Sequence, residues 1–431
     1  MGPCFSKGKH LTAEQAQALA ILNSSIYSSK HGSKTGGVEG IPGPPPIPDF
    51  GLDNNYEVIR LLGEGGSGQT WLCRDLETDE NLAIKLIRRP IPRVLLPMIL
   101  HEIQIQARLG SGHCNLVNSQ HVVLTPGYLG IVMEFVAGGN LTTYVSSRWS
   151  STSERGGLFL SEGEARYFFQ QFLFAVEYLH SHHVAHRDLK LDNIVLDDQV
   201  PPRIKLCDFG FAKNWDEDSN MQTQIGTPVY MSPQLINMKQ NQGKGYDATK
   251  ADVWACGVLL FVMLLGMFPF EHTDHPDPNS SAAHVEVWLQ QIKTSWRENS
   301  RVAEHAQRLS ADCTDLLDKI FDLDESQRIT IPVIRQHPWF TAPLEPQFAA
   351  SLRVLAEQQA QVEVEVRCGA FESNVRDVAL EALVKSAGQA HVEGVDRAYR
   401  RVTVSQLQKH YSVVKRKSLH LVFPEETIIE E

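Results

Sequence analysis

The chain lacks three features that would each mark a class of protein. Its seven cysteines are an odd and scattered set, so no disulfide framework is indicated, and a reducing cytosol or nucleus fits this usage. The net charge of −11 argues against a general nucleic-acid binder, which would be basic. Residues 1–30 lack the apolar segment of a secretory signal. The 431 residues, 42% of them hydrophobic, are enough for a large folded domain with tails.

One apolar run, residues 253–270, is about long enough to span a bilayer. The alternative is a buried core helix. The sequence favours the core helix because the charged Lys250 and Asp252 precede the run and Pro269 ends it. We therefore expect no membrane association through this segment.

Composition divides the chain into three parts. Residues 1–55 are polar and rich in glycine, serine and proline, which predicts a flexible arm and linker. Residues 56–340 have strand patterns first and helical patterns from Ser161 onward, which indicates two unlike lobes of an α+β fold. Residues 341–431 form a tail with two amphipathic helices, and either helix can pack on the main domain or bind a partner. Their apolar faces are Phe348, Leu352 and Leu355 in the first, and Val375, Val378 and Ala382 in the second.

A glycine motif of the form G-x-G-x-x-G opens the strand-rich part. Dinucleotide-binding folds share this motif, but they need a helix directly after the glycines, and residues 69–73 here have a strand pattern. Glycines let backbone amides approach the phosphates of ATP without a Cβ clash, and Lys85 in the next strand supplies a positive charge. The motif consists of Gly63, Glu64, Gly65, Gly66, Ser67 and Gly68.

Two motifs farther along set out the parts of a phosphoryl-transfer site in chain order: residues 186–193 (HRDLKLDN) and Asp208-Phe209-Gly210. Asp188 offers a carboxylate that can accept a hydroxyl proton, and Lys190 lies two residues on. Asn193 and Asp208 offer the oxygen ligands that Mg²⁺ prefers.

On these motifs together, the chain resembles a eukaryotic protein kinase over about residues 56–340. The resemblance implies a bilobal fold, with a small β-rich lobe and a larger helical lobe, and it implies ATP and Mg²⁺ as cofactors. Lys85 would contact the α and β phosphates, and Glu102 would be its ion-pair partner. Asp188 would orient and deprotonate the substrate hydroxyl, and Lys190 would neutralise charge on the transferred group. The magnesium ligands would be Asn193 and Asp208.

The resemblance also implies an adenine site. Met133 ends an apolar strand and would guard the back pocket, and backbone groups of Glu134 and Val136 would bond the adenine at the hinge. Leu62 and Thr70 flank the glycine motif in the ATP site. Thr70 stands where the family usually has valine.

Specificity and regulation follow from the same resemblance. Lys190 and Thr227 indicate a serine/threonine kinase, because tyrosine kinases usually differ at both positions. In kinases of this type Arg187 carries a positive charge that a phosphate on the activation loop neutralises. Thr223 occupies the position of the activating phosphate in the AMP-activated group.

One departure from the family pattern is Gln234, which stands where a glutamate usually pairs with a late arginine. The candidate arginine is Arg328, and a buried arginine with a neutral partner should cost stability. The competing hypothesis is a pseudokinase that acts as a scaffold. Lys85, Asp188 and Asp208 are all present, which favours an active enzyme.

Within the family, the chain looks like subfamily 2 of the sucrose-nonfermenting-related kinases, the osmotic-stress and abscisic-acid kinases of plants. The resemblance implies stress or nutrient signalling, protein substrates, an upstream kinase and a type-2C phosphatase, although the tail lacks the Asp-rich box that binds such phosphatases there. It also implies that the first tail helix packs beside the helix carrying Glu102. The matching motifs are residues 186–193, 206–213, 226–230, 251–258 and 266–271.

The N-terminus fits the myristoylation spacing, with Gly2 and Ser6 in place and Cys4 as a palmitoylation candidate. Pro3 directly after Gly2 should fit the transferase poorly. We therefore expect a soluble arm, in the cytosol or nucleus, with lipidation at Gly2 or Cys4 as the alternative.

Overall fold

The computed structural model describes residues 47–52, 55–65, 68–148, 157–214, 227–237, 245–270, 281–298, 300–368, 374–389 and 400–403. These residues form a small lobe built on one β-sheet and a larger lobe built mainly of helices. The predicted bilobal α+β fold is therefore confirmed. The predictions for Gly2, Cys4 and Thr223 fall outside the described residues.

The small lobe is an antiparallel sheet whose first five strands lie in the order β1-β2-β3-β5-β4. Successive side chains of β3 point to opposite faces of the sheet, so Ile84 and Leu86 are buried against Trp71 on one face. Lys85 lies between them and points to the other face, where helix α1 packs. The elements are β1 (Tyr56–Gly65), β2 (Gly68–Asp75), β3 (Asn81–Arg88), α1 (Leu96–Leu109), β4 (Ser119–Leu124) and β5 (Tyr128–Glu134).

Helix α1 begins where the prolines allow it. Pro90 and Pro92 interrupt regular structure after β3, and Pro97 stands in the first turn, where its missing N–H has no helical partner to lose. The helix begins at Leu96.

The folded part begins earlier than the predicted boundary at residue 56. Phe50 and Leu52 are buried, and the Phe50 ring lies 5.2 Å from the ring of Trp71 and 5.1 Å from that of Tyr128. The prediction of a flexible arm up to residue 55 is therefore wrong for this segment. Burial of these two side chains stabilises the small lobe by removing apolar surface from water.

The large lobe is built on ten helices of the described chain and two small antiparallel pairs of strands. The strands are β6 (Val184–Ala185) with β9 (Lys213–Asn214), and β7 (Ile194–Leu196) with β8 (Ile204–Leu206). The helices are α2 (Leu141–Ser147), α3 (Glu162–Ser181), α4 (Pro233–Ile236), α5 (Ala248–Leu265), α6 (Ser281–Lys293), α7 (Ser300–Ala306), α8 (Ala311–Ile320), α9 (Ile331–Ile334) and α10 (Pro338–Thr341), followed by the tail helix α11 (Pro346–Cys368). Short 3-10 turns lie at Gly110–Gly112, Leu191–Asn193, Pro228–Tyr230 and Trp296–Glu298.

Helix α5 is the apolar run that resembled a membrane span. It has a mean hydropathy of 1.7, and within the described chain it is long and apolar enough to cross a membrane, but 89% of it is buried inside the protein. Asp247 caps its start, and Gly266 ends it in the left-handed region at φ 65°, where a Cβ would lie 2.3 Å from the Phe159 ring. The predicted core helix is thus confirmed.

The first tail helix, α11, packs on the large lobe. The Phe348 ring stacks on Tyr167 of α3 at 4.8 Å, and the Ser351 and Tyr167 hydroxyls are 2.9 Å apart. Leu352 and Leu355 are buried in the core of that lobe. The expectation that this helix packs beside the helix carrying Glu102 is therefore wrong, because its apolar face fits α3.

A second tail helix, α12 (Asn374–Ala387), takes the place beside α1. Its buried side chains join a cluster with Ile99 and Ile103, and Arg89 donates to the backbone oxygens of Ser386 (2.8 Å) and Gln389 (3.1 Å) at its C-terminal end. Ala382 is exposed, so the predicted apolar face is displaced around the helix. The side chains of Val375 and Val378 lie outside the described residues. The buried face is Leu380, Leu383, Val384 and Ala387.

The tail also extends the sheet. Strand β10 (Arg400–Thr403) pairs antiparallel with β4, from Arg400 opposite Leu124 to Thr403 opposite His121. Sequence reasoning missed this strand, because four residues give too short a pattern to distinguish from a loop.

Candidate active site

The buried side chain of Lys85 joins strand β3 to helix α1 in the small lobe. Lys85 Nζ on β3 lies 2.5 Å from Glu102 Oε1 on α1, and both residues are less than a tenth exposed. The same Nζ is 3.2 Å from Asp208 Oδ1. Burial alone would favour a neutral amine, but the two carboxylates outweigh it and raise the pKa of Lys85 above its ordinary value. Lys85 is therefore a fixed positive charge.

Asp208 lies at the edge of this charge cluster, with 40% of its side chain exposed. Burial tends to raise the pKa of its carboxyl group, but Lys85 outweighs that effect and holds the pKa below the ordinary value. The residue has a left-handed backbone, with φ 62°. The result is an ionised carboxylate with an open side.

Asp188 is buried and surrounded by donors. Its carboxylate accepts hydrogen bonds from Lys190 Nζ at 2.6 Å and from Thr227 Oγ1 at 2.9 Å. Asn193 Nδ2 donates to its backbone oxygen at 2.8 Å and lies 3.3 Å from Oδ2. The structure thus brings Asp188, Lys190 and Asn193 of the HRDLKLDN motif together, and Thr227 joins them through its hydroxyl.

Asp252 of α5 fixes the loop that carries Asp188. Its two carboxylate oxygens accept the backbone N–H groups of His186 and Arg187, both at 2.9 Å. These bonds hold Arg187 in the left-handed region, at φ 68°. His186 is fully buried, and burial lowers its pKa, so it packs as a neutral ring 5.3 Å from Phe209.

The glycine motif lies at the β1–β2 turn. A Cβ on Gly68, which has φ 141°, would lie 2.3 Å from the backbone oxygen of Leu86, so the position requires glycine. Gly63 and Gly65 have open space where a Cβ would stand. Gly66 and Ser67 lie outside the described residues. Glu64 is exposed, Leu62 is half-buried, and Thr70 lies directly opposite Lys85 in the pairing of β2 with β3.

The predicted hinge holds an ion pair that sequence reasoning missed. The Glu134 carboxylate accepts from Lys205 Nζ of β8 at 2.9 Å and from the backbone N–H of Asn118 at 2.8 Å. The sequence analysis assigned a role only to the backbone of Glu134, which was expected to bond the adenine. Val136 and Met133 are half-buried beside it. Nothing in the sequence pairs Glu134 with a lysine 71 residues away, because the contact depends on how β5 lies against β8.

The polar groups near Asp208 fit a hard divalent cation. Asp208 offers an ionised carboxylate and Asn193 an amide oxygen, the donor types of magnesium. No cluster of three or more histidine, cysteine or acidic side chains suited to a metal is found in the part of the chain that the structure describes. Magnesium bound here would complete its coordination with water and with the phosphate oxygens of a nucleotide, as is usual for this ion.

Arg328 is the partner of Gln234, as the sequence predicts. Its Nη2 donates to Gln234 Oε1 at 2.7 Å, and Gln234 Nε2 in turn donates to the Leu323 oxygen at 2.6 Å. Burial lowers the pKa of Arg328 to about 10. Carbonyl groups of Lys250 and Asp322 accept its other N–H groups, so backbone oxygens replace the missing carboxylate.

Comparisons with known proteins agree with this geometry. A family model described as protein kinase domain matches residues 56–340. The chain is 41% identical over 285 residues to serine/threonine-protein kinase SAPK1 of Oryza sativa subsp. japonica, covering 66% of this chain and 75% of that protein. It is 40% identical over 285 residues to SAPK2 of Oryza sativa subsp. indica, covering 66% and 76%. It is 35% identical over 302 residues to serine/threonine-protein kinase SRK2E of Arabidopsis thaliana, covering 70% and 75%.

Proposed function

Because the chain belongs to the protein kinase family, as a serine/threonine kinase, we propose that it transfers the γ-phosphate of ATP to serine and threonine hydroxyls of protein substrates. The observation that carries the proposal is Lys85 Nζ, which binds both Glu102 and Asp208. This contact joins β3, α1 and the Asp208 segment around one buried cation. Loss of Lys85, Asp188 or Asp208 would have favoured the scaffold alternative.

The residues divide the chemistry between them. Lys85 would hold the α and β phosphates, and Asp208 with Asn193 would hold magnesium, which neutralises phosphate charge when bound. Asp188 would orient the substrate hydroxyl and accept its proton. Lys190, 2.6 Å from Asp188, would stabilise negative charge on the transferred group. Thr227, bonded to Asp188, supports specificity for aliphatic hydroxyls.

The direct test is transfer of label from γ-labelled ATP to a library of serine, threonine and tyrosine peptides. We expect label on serine and threonine peptides only, and none after chelation of divalent cations. Label retained in excess chelator would refute the magnesium role. Nucleotide binding without transfer to any peptide, with the activation loop phosphorylated, would favour the scaffold.

We also propose a setting for this activity. The resemblance supports stress or nutrient signalling in the cytosol or nucleus, with an upstream kinase and a type-2C phosphatase as regulators. A soluble N-terminal arm is favoured over lipidation at Gly2 or Cys4, because Pro3 follows Gly2.

Activation should depend on Thr223. Arg187 lies beside Tyr246, whose hydroxyl it bonds, and a phosphate on the activation loop would give this cation a full counter-charge. We expect Thr223→Ala to lower activity on the order of tenfold, by loss of loop ordering. Ser219→Ala, on the same loop, is the matched control. Active protein in which mass spectrometry finds Thr223 bare, together with an unimpaired Thr223→Ala, would reject this prediction.

The tail should act through α12. Leu383 is buried between α12 and α1, whereas Ala382 is exposed, so Leu383→Asp and Ala382→Asp introduce the same charge at a buried and at an exposed position of one helix. Loss of a buried leucine costs about 2–5 kcal/mol, and undocking α12 would free α1, which carries Glu102.

We therefore expect Leu383→Asp to lower both the melting temperature and kcat, and Ala382→Asp to leave both unchanged. Equal behaviour of the two variants would show that α12 is not part of the catalytic unit. Point variants are preferable to truncation after Pro343, because truncation would also remove α11 from the large-lobe core.

A further inference from the structure

A groove of about 380 Å³ lies between α11 and the β7–β8 hairpin, away from the active site. We call it the back groove. Its walls are partly apolar, with Leu355 and Val362 from α11 and Ile204 from β8. Arg203 and Lys205 stand on either side of Ile204 in sequence and add two positive charges, and Asp197 adds one negative charge. This combination suits an extended segment that carries both apolar and acidic side chains.

Arg203 has an N–H donor that forms no hydrogen bond to the described residues. Within the described chain it forms no ion pair, and its Nη1 donates to Gln358 Oε1 of α11 at 3.1 Å. Its Nε is buried and has no hydrogen-bond acceptor among the described residues. An arginine offers five N–H donors in a fork that fits a carboxylate. The groove therefore provides a cation with no carboxylate partner in this part of the structure.

The last strand of the described chain points toward the side of the lobe that carries this groove. Strand β10 runs antiparallel to β4, from Leu124 toward His121, so at Thr403 it points toward Ser119 and the segment before it. That segment includes Leu116, whose backbone oxygen accepts a hydrogen bond from Lys205 Nζ at 3.3 Å. The end of β10 thus points toward the side of the lobe on which Lys205 lines the back groove.

The chain beyond β10 has the length and the chemistry to fill the groove. Residues 404–431 follow β10, and at about 3.3–3.6 Å per residue they can span at most about 90–100 Å when fully extended. Their last residues, 425–431, read Glu-Glu-Thr-Ile-Ile-Glu-Glu. Four carboxylates and two isoleucines complement two cations and an apolar floor.

We propose that residues 425–431 of this chain bind in the back groove of the same molecule, with a glutamate on the Arg203 guanidinium and an isoleucine against the half-buried Val362. The carboxylates also approach Lys205, which is shared with Glu134 of the hinge. The docking does not depend on the proposed kinase activity, so it should be the same in the Asp188→Asn chain.

The test is zero-length carbodiimide cross-linking of the full chain, which joins a carboxylate to an amine in contact. The Lys205–Glu134 pair, at 2.9 Å, is an internal positive control. We expect mass spectrometry to find Lys205 joined to one or more of the last four glutamates. In an equal mixture of isotope-labelled and unlabelled chains, those links should lie within one molecule.

Variants make the test specific. Arg203→Gln should reduce the links between Lys205 and the acidic end roughly tenfold, because a charge-assisted hydrogen bond is lost, and should leave the Lys205–Glu134 link unchanged. Arg353→Gln, on the exposed side of α11, is the matched control. It should reduce neither the links between Lys205 and the acidic end nor the Lys205–Glu134 link. Three results would overturn the proposal. The acidic end could be cross-linked only to other lysines, or to a second molecule. Alternatively, the amount of its cross-link to Lys205 could be unchanged by Arg203→Gln.

Discussion

Asp188→Asn should lose about 10²–10⁴-fold in kcat and keep its affinity for ATP, because the substitution removes the proton acceptor alone. This corresponds to about 3–5 kcal/mol of transition-state stabilisation. The fold should survive, because an amide oxygen can still accept from Lys190, and the Thr227 hydroxyl can rotate to accept from the new NH₂ group. The measurements are steady-state kinetics, nucleotide binding and the melting temperature.

The matched control is Asp198→Asn, an exposed carboxylate on the β7–β8 hairpin that should show wild-type kinetics. A wild-type rate in Asp188→Asn would remove Asp188 from the mechanism. A large drop in melting temperature would instead assign the residue a structural role.

Motifs of fixed spacing let the sequence place most of the site. Asp188, Lys190 and Asn193 lie within six residues of one another, so a loop of known conformation brings them together. Arg328 was also identified as the partner of Gln234 across 94 residues, because the family pattern supplies that contact.

The sequence did not predict contacts that lie outside such a motif. The Lys205–Glu134 pair and strand β10 depend on which surfaces meet in three dimensions, and no local pattern encodes them. The tail helices show the same limit. Two amphipathic faces were evident, but Phe348 fits Tyr167 on the large lobe, and the face around Leu383 fits α1. Helical periodicity indicates that a face is buried, but it does not identify the surface against which that face packs.

The Lys85–Glu102 pair allows catalysis and stability to be separated. Lys85→Met should lose at least about 10²-fold in kcat/KM for ATP, because the phosphate-binding cation is gone. It should also destabilise the protein by roughly 3–5 kcal/mol, because it leaves the buried Glu102 carboxylate without its cation. The double variant Lys85→Met/Glu102→Gln should be as inactive as the single variant and yet melt at a higher temperature, because the buried charge has been removed.

The difference in stability between these two variants should depend on pH. Burial raises the pKa of Glu102, an effect that Lys85 opposes in the wild type and that is unopposed in Lys85→Met. A carboxyl group whose pKa is higher in the folded state than in the unfolded state stabilises the fold at low pH, and that contribution is lost as the pH rises. The gap in melting temperature should therefore be small near pH 5 and widen toward pH 8. A gap that is constant with pH would mean that Glu102 is not buried as a charge. The control is Glu77→Gln, which replaces an exposed carboxylate of the same lobe. It should change neither kcat/KM for ATP nor the melting temperature.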